Sequence, residues 1–377
     1  TDSIFDDNNA GQRGGAIRAY ANATVLIDNS IFINNNASQY GGAVGIYANS
    51  TSIIKNSIFE NNTASVRGGA IRVNENSTMT IVNCTFDNNS VNDGVGDSFG
   101  GAIGGYANST INIEDSKFTN NSALYGGAIR VDVDSTVNIK DSVFEDNFAV
   151  TYGGAISAYN GAKLIVNNST FVRNHADGDG ESYGGAIYAN ASSQIHIIDS
   201  NFVANNASHY GGAVYGEANS LINVTNTIFD DNKAGERGGA IRAYVNSTVF
   251  IDNSTFVNNN ASKYGGAVGI YANSTSIIKN SVFENNSASL RGGAIRVNQN
   301  STMTIINCTF DNNSVNDGVG DSFGGAIGGY ANSTINIEDS KFTNNSARYG
   351  GAIRVDVNSS VNIKDSVFED NFAVTYG

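Results

Sequence analysis

The stretch Gly126–Asn147, GGAIRVDVDSTVNIKDSVFEDN, contains the pattern that decides the fold. Apolar and polar residues alternate in two short runs, Ile129–Val133 and Val137–Ile139. Phe144 then leads into the final Asn of the stretch. Alternation with a period of two is typical of β-strands that bury one face. The stretch therefore predicts two or three short strands separated by turns.

This pattern recurs along the whole chain at a fixed spacing. The first Gly of each Gly-Gly-Ala and the Phe of the next Phe-x-x-Asn are 18 residues apart thirteen times, from Gly14 and Phe32 to Gly350 and Phe368. A constant spacing is typical of solenoids, because each coil must lie in register on its neighbour. Parallel β crossovers are almost always right-handed. We therefore predict an all-β fold, a single-stranded right-handed parallel β-helix (β-solenoid) of about 14 coils with about 27 residues each and no caps in this segment.

A longer repeat is superimposed on the coils. Residues 1–153 match residues 225–377 at a constant offset of 224, and only 18 positions differ. We therefore predict one continuous β-solenoid over residues 1–377. It would consist of module A (residues 1–224, eight coils) and module B (residues 225–377, a partial second copy). Duplication of this kind adds length without creating a new site.

Stacked coils would place identical side chains about 4.8 Å apart. Phe side chains would then stack in the interior, and an inward Asn could bond backbone groups at a turn and the Asn of the next coil. The predicted structural ladder includes Phe32, Asn35, Phe59, Asn62, Phe86, Asn89, Phe118 and Asn121.

The two cysteines, Cys84 and Cys308, occupy equivalent positions in a column of small polar residues. Eight coils would separate them by about 38 Å, which is too far for a disulfide. We therefore interpret each as a small buried residue.

Composition and charge exclude several classes of partner. The absence of Pro fits long runs of paired strands, because Pro has no backbone N–H to donate to a strand ladder. The formal net charge is −14 and there is no basic run, so nucleic acid is not an expected partner. No run approaches 18 apolar residues, so we expect no membrane insertion of this segment.

The paired motifs resemble those of known surface proteins. Gly-Gly-Ala-Ile/Val alternating with Phe-x-x-Asn is similar to the repeat of chlamydial polymorphic outer-membrane proteins. The Asn/Ser/Thr-rich background, as in NSTFVNNNASKYGGAV at residues 253–268, is even more similar to adhesin-like surface proteins of methanogenic archaea. The resemblance covers the whole chain and implies a right-handed parallel β-helix exposed on a cell surface.

Three coils contain insertions rich in Asp and Gly, NDGVGDS at residues 92–98, its copy at residues 316–322, and DGDGES at residues 177–182. Flexible carboxylate loops can bind a hard cation such as calcium. Asp and Gly are also the usual residues of solvated turns, so both interpretations remain open. The candidate calcium ligands are Asp93, Asp97, Asp177, Asp179, Asp317 and Asp321; we expect no other cofactor.

Asn-x-Ser/Thr sequons are abundant, and those in turns between strands are candidate glycosylation sites. These are Asn49, Asn108, Asn273 and Asn332.

An arginine column follows the first aliphatic residue of the repeat. Its members are Arg18, Arg72, Arg130, Arg242, Arg296 and Arg354. The column skips every second coil, where Gly45 or Gly104 stands, and alternates with outward Tyr47 and Tyr106. It could form a groove for an acidic glycan, or an ordinary solvated face with Arg beside Asp or Tyr.

We therefore predict an extracellular structural or adhesive cell-surface protein, a rigid repeat rod or fibre segment. Its expected partners are other copies of itself or cell-surface and host glycans and proteins. The alternative is a polysaccharide-binding or polysaccharide-cleaving β-helix protein. Such enzymes need a singular carboxylate cluster, whereas the acidic residues here recur with the module. The sequence therefore predicts no enzyme.

Overall fold

The computed structural model describes residues 1–92, 98–178, 180–316 and 322–377. It contains two compact units, unit 1 (Thr1–Ile195) and unit 2 (His196–Gly377). Each unit is a right-handed parallel β-solenoid with about 27 residues per turn, and no helix occurs in the described residues. The predicted fold class is confirmed.

Each complete coil has four short strands that contribute to four parallel sheets, A to D in chain order. In unit 1, sheet A contains Ile4–Asp6, Ile31–Ile33, Ile58–Glu60, Thr85–Asp87, Lys117–Thr119, Val143–Glu145 and Thr170–Val172. Sheet B contains Asn9–Ala10, Asn36–Ala37, Thr63–Ala64, Ser90–Val91, Ser122–Tyr125, Phe148–Tyr152 and His175–Ala176. Sheet C contains Ile17–Ala19, Val44–Ile46, Ile71–Val73, Ile103–Gly105, Ile129–Val131, Ile156–Ala158 and Ile187–Ala189. Sheet D contains Thr24–Asp28, Thr51–Lys55, Thr78–Val82, Thr110–Glu114, Thr136–Lys140 and Lys163–Asn167.

The strand Gln194–Ile198 includes the last residues of unit 1 and the first of unit 2. In unit 2, sheet A contains Asn201–Val203, Ile228–Asp230, Thr255–Val257, Val282–Glu284, Thr309–Asp311, Lys341–Thr343 and Val367–Glu369. Sheet B contains Asn206–Ala207, Lys233–Ala234, Asn260–Ala261, Ser287–Ala288, Ser314–Val315, Ser346–Tyr349 and Phe372–Tyr376. Sheet C contains Val214–Gly216, Ile241–Ala243, Val268–Ile270, Ile295–Val297, Ile327–Gly329 and Ile353–Val355. Sheet D contains Leu221–Thr225, Thr248–Asp252, Thr275–Lys279, Thr302–Ile306, Thr334–Glu338 and Ser360–Lys364.

The sequence predicted two or three strands per coil, and the structure has four. The additional strands are those of sheet B, most of which are only two residues long, such as Asn36–Ala37. A strand of two residues is too short to produce a visible alternation, so periodicity alone did not identify it.

The register stacks identical core residues. Phe32 pairs with Phe59 and Phe59 with Phe86 in sheet A. Their ring centroids are 4.7 Å and 4.8 Å apart and the rings are parallel within a few degrees. These rings are fully buried, so the Phe column forms the centre of the core.

The asparagine ladder is confirmed. The side-chain amide of Asn62 donates to the carbonyl of Phe32 at 2.9 Å and to Oδ1 of Asn89 at 3.0 Å. The backbone N–H of Asn62 donates to that same Oδ1. Buried polar groups are stable only when such partners are present. Asn62 thus bonds the preceding coil through the Phe32 carbonyl and the next coil through the Asn89 side chain.

The Gly-Gly pair lies between sheets B and C and is required at both positions. Gly100 has φ +64°, a conformation that L side chains rarely adopt. A Cβ at Gly101 would lie 2.1 Å from the carbonyl oxygen of Gly127 in the next coil. The turn therefore starts every sheet C strand at a fixed point, which positions the side chains of that sheet's outer surface.

Candidate functional site

The outer surface of sheet C carries three columns of arginine and aromatic side chains, which we call the Arg–Tyr face. One column is the residue before Gly-Gly, the second is the middle residue of the sheet C strand, and the third is the residue after that strand. In unit 1 the face includes Arg13, Arg18, Tyr20, Tyr40, Tyr47, Arg67, Arg72, Phe99, Tyr106, Arg130 and Asp132. In unit 2 the equivalent residues are Arg237, Arg242, Tyr244, Tyr264, Tyr271, Arg291, Arg296, Phe323, Tyr330, Arg354 and Asp356.

Glycine in the middle column makes room for an arginine of the preceding coil. A Cβ at Gly104 would lie 2.2 Å from Cγ of Arg67. Arg67 lies with its guanidinium 4.0 Å from the ring centre of Tyr106 and 4.5 Å from that of Phe99. It also donates to Asp132 at 2.5 Å. Glycine at position 104 is therefore required by packing.

The middle-column arginines lie between aromatic rings. Arg72 is only 5% exposed and lies 4.7 Å from the ring centre of Tyr40 and 4.6 Å from that of Tyr106. Arg242 is 2% exposed and lies 4.4 Å from that of Tyr271. Guanidinium groups over aromatic faces are attracted by the ring quadrupole, more strongly when water is excluded. The arginines thus form a layer beneath the partly exposed tyrosines.

Several of these cations have no carboxylate partner among the residues that the structure describes. Within the part of the chain that the structure describes, Arg72, Arg242 and Arg296 form no ion pair. Nε of each is buried without a hydrogen-bond partner. Burial lowers the pKa of Arg242 to about 10 and also lowers that of Arg296, so both remain protonated at neutral pH. A buried cation without a counter-charge is costly, so this face attracts anions.

The hydroxyl of Tyr47 lies between two further guanidinium groups. Nη1 of Arg13 donates to it at 2.5 Å and Nη2 of Arg18 at 2.7 Å. Burial raises the pKa of Tyr47, but the two hydrogen bonds from arginine outweigh it and the pKa is lowered. The hydroxyl therefore accepts hydrogen bonds from both guanidinium groups and leaves most of their positive charge uncompensated.

The predicted arginine column lies on this face, but its buried members do not form an ordinary solvated surface. Arg13, Arg67, Arg237 and Arg291 also belong to the face and were missed from the sequence. They lie at the position before Gly-Gly, in a column that contains Arg, Tyr and Phe. Aligning the coils on Gly-Gly would have revealed that column.

The calcium prediction falls mostly outside the described residues, where Asp93, Asp97, Asp179, Asp317 and Asp321 lie. Asp177 is described and exposed, and its backbone N–H donates to Ala149 at 3.0 Å. No group of three or more His, Cys, Asp or Glu that could bind a metal occurs among the described residues. Calcium binding stays a prediction.

The candidate glycosylation sites are exposed, and each has a left-handed backbone with φ between 56° and 58°. They lie in the turn between sheets C and D, beside the Arg–Tyr face. They are Asn49, Asn108, Asn273 and Asn332. Glycosylation stays a prediction.

A family model described as a right-handed beta helix region matches residues 1–202, 101–282 and 212–377. The chain belongs to the right-handed β-helix family. The match does not confirm the more specific resemblance to the archaeal or chlamydial repeat families. No curated protein matches the chain.

Solved structures with a similar fold include three polysaccharide-processing enzymes. The periplasmic alginate epimerase AlgG is 11% identical with a TM-score of 0.49, over 93% of this chain and 78% of that one. A PL6 alginate lyase in complex with a trisaccharide is 15% identical with a TM-score of 0.40, over 95% and 81%. The alginate lyase AlyF-OU02 with G6 is 12% identical with a TM-score of 0.36, over 96% and 86%.

The prediction that the protein is not an enzyme is contradicted by these structures. It was based on the recurrence of acidic residues with the module. The similar structures are an epimerase and lyases, so the fold is found in enzymes that process polysaccharides. In the described residues, no helix has the length and apolar character needed to span a membrane.

Proposed function

We propose that this chain is an extracellular or periplasmic polysaccharide-binding protein whose Arg–Tyr face binds an acidic polysaccharide. The main support is that the guanidinium groups of Arg72, Arg242 and Arg296 have no carboxylate partner among the described residues, in a chain whose net charge is −14. An acidic glycan would supply the missing counter-charges. A neutral glycan would not.

The tyrosines of the face supply the second half of the recognition. Tyr47 and Tyr106 are partly exposed and two coils apart, which is roughly 10 Å along the coil axis of unit 1. An extended sugar chain could place apolar ring faces on successive tyrosines, since tyrosine combines an apolar body with a polar tip. Its carboxylates would then lie above the arginine layer.

The resemblance to adhesin-like surface proteins fits the same proposal. A protein exposed on a cell surface would use the Arg–Tyr face to attach to acidic glycan. The sheet C surface of each unit carries the same set of residues, so several such contacts per chain would raise the avidity.

The test removes the tyrosine platform from both units. We expect the full chain to bind an alginate hexasaccharide by isothermal titration, and the double variant Tyr106→Ala/Tyr330→Ala to bind at least tenfold more weakly, because stacking on aromatic residues is a main source of affinity. The control is Leu26→Ala, which removes a side chain that is 68% exposed on sheet D. Equal affinity of both variants, with unchanged thermal melts, would contradict the proposal.

A further inference from the structure

The duplicated copies share the Arg–Tyr face but differ at its edges. All the residues of the face named above in residues 1–153 are identical at the equivalent positions in residues 225–377. The 18 differences between the copies therefore leave the face itself unchanged. We define the rim as the residue just before the first column together with the two turn residues after the third column.

Most of the charge differences between the two copies lie in the rim. In residues 1–153 its charged members are Glu75 and Asp134, so it carries two negative charges. In residues 225–377 its charged members are Glu236, Lys263 and Arg348, so it carries one net positive charge. The corresponding exchanges are Gln12 to Glu236, Gln39 to Lys263, Glu75 to Gln299, Leu124 to Arg348 and Asp134 to Asn358.

Structural contacts determine which of these charges faces solvent. Nζ of Lys263 lies 2.6 Å from a carboxylate oxygen of Glu236, so these two charges largely cancel. Arg348 is exposed, and its guanidinium lies 5.4 Å from the ring centre of Tyr349, the first-column residue of its coil. Glu75 and Asp134 are exposed as well. The first copy therefore has two exposed carboxylates that the second lacks, and the second has the exposed Arg348 where the first has Leu124.

We propose that the face within residues 225–377 binds an acidic polysaccharide more tightly than the face within residues 1–153, and that the rim residues set this difference. The inference depends on the proposed function, since it assigns the stronger site for the same ligand class. That class is an extended sugar chain with a carboxylate on each residue. Exposed rim charges act by steering and by long-range attraction, both of which salt screens.

The experiment exchanges the rims in the full chain. One variant, E236Q/K263Q/Q299E/R348L/N358D, gives the second copy the rim of the first. The reciprocal variant, Q12E/Q39K/E75Q/L124R/D134N, gives the first copy the rim of the second. Every introduced residue already occupies the equivalent position in the other copy, so each is compatible with the fold. Binding of an alginate hexasaccharide is measured by isothermal titration at low and high salt.

We expect the wild-type chain to show a tighter and a weaker class of site. The first variant loses the tighter class and the reciprocal variant loses the weaker class. The two variants then differ in affinity by about tenfold at low salt and by much less at high salt, because each exposed charge contributes modestly and is screened. Unchanged or reversed affinities would overturn the inference while leaving the proposed function in place. An absence of binding in all three proteins would overturn both.

Discussion

At the scale of single residues, the buried asparagines connect one coil to the next. The ladder amides such as Asn62 are fully buried, and each bonds both a backbone carbonyl and the next amide. Removal of one asparagine leaves groups on two neighbouring coils without partners. An unsatisfied buried polar group costs roughly 1–3 kcal/mol. The ladder is therefore the point where a single substitution should affect the fold most.

Asn62→Ala should lower the free energy of unfolding by about 3 kcal/mol. The substitution removes the acceptor for the backbone and side-chain N–H groups of Asn35 and the donor to Phe32. Chemical denaturation followed by circular dichroism measures the change. Asn36→Ala is the matched control, because the Asn36 side chain is exposed and bonds only exposed groups. Similar losses in both variants would refute the ladder's role.

The thiols should make stability depend on pH in the alkaline range. Burial raises the pKa of Cys84 from 9.0 to about 11, and that of Cys308 likewise. The folded state thus favours the neutral thiol more than the unfolded state does. The stability from this source is complete below pH 9 and is lost as pH rises towards 11.

The measurement is the alkaline limb of a melting-temperature profile, compared with Cys84→Ser/Cys308→Ser. That double variant restores the serine found in most coils at this position. Its profile should be flatter between pH 9 and 11 than that of the wild type. Parallel profiles would show that the thiols are not buried as described.

At the scale of strands and turns, the Arg–Tyr face depends on the alternation of large and small residues in sheet C. Arg67 crosses the glycine of the next coil to reach Asp132, which is 65 residues away in sequence. A local pattern cannot indicate a contact of that separation. The alternation of arginine with Gly45 and Gly104 was visible, but its cause was not.

Gly104→Ala should displace Arg67 and destabilise the coil by about 2 kcal/mol, as overpacking does. The added Cβ would meet Cγ of Arg67 at 2.2 Å and the backbone nitrogen of Gly68 at 2.9 Å. Gly269→Ala is the matched control in the same column. The atoms nearest to its Cβ would be Cδ of Arg242 at 3.3 Å and the backbone nitrogen of Gly238 at 3.4 Å. Thermal melts should show a clearly smaller loss for Gly269→Ala, and equal losses would contradict this packing.

The fold was predictable because the residues that define it repeat in place. Phe32 and Asn35 recur at one spacing, and that spacing requires stacked parallel strands. The candidate site was predictable only in part. Arg72 and Arg130 were recognised as a column, but their burial between rings was not, because it depends on Tyr40 and Phe99 from adjacent coils. Which columns come into contact depends on how the coils fold, and the pattern within one coil does not show it.

At the scale of the whole molecule, the repeat makes length adjustable in whole coils. Deletion of residues 18–71 removes 54 residues, keeps the 18-residue interval from Gly14 to the next Phe, and keeps arginine and glycine alternating in the middle column. We expect this variant to fold with an unchanged β-sheet circular dichroism spectrum per residue. Repeat proteins tolerate such changes because each coil contacts only its neighbours.

Deletion of residues 18–72 is the control, since it shortens that interval by one residue. A shift of one residue turns every following side chain of a strand to the opposite face. This variant should melt at a markedly lower temperature or fail to fold. Indistinguishable melts for the two deletions would contradict the requirement for register.

The most direct test of glycan binding at the Arg–Tyr face is a crystal structure of the full chain with an alginate hexasaccharide. We expect sugar density along this face, with rings over Tyr106 or Tyr330 and carboxylates above the arginine layer. Sugar density on another face of the sheets, with the Arg–Tyr face empty, would contradict it.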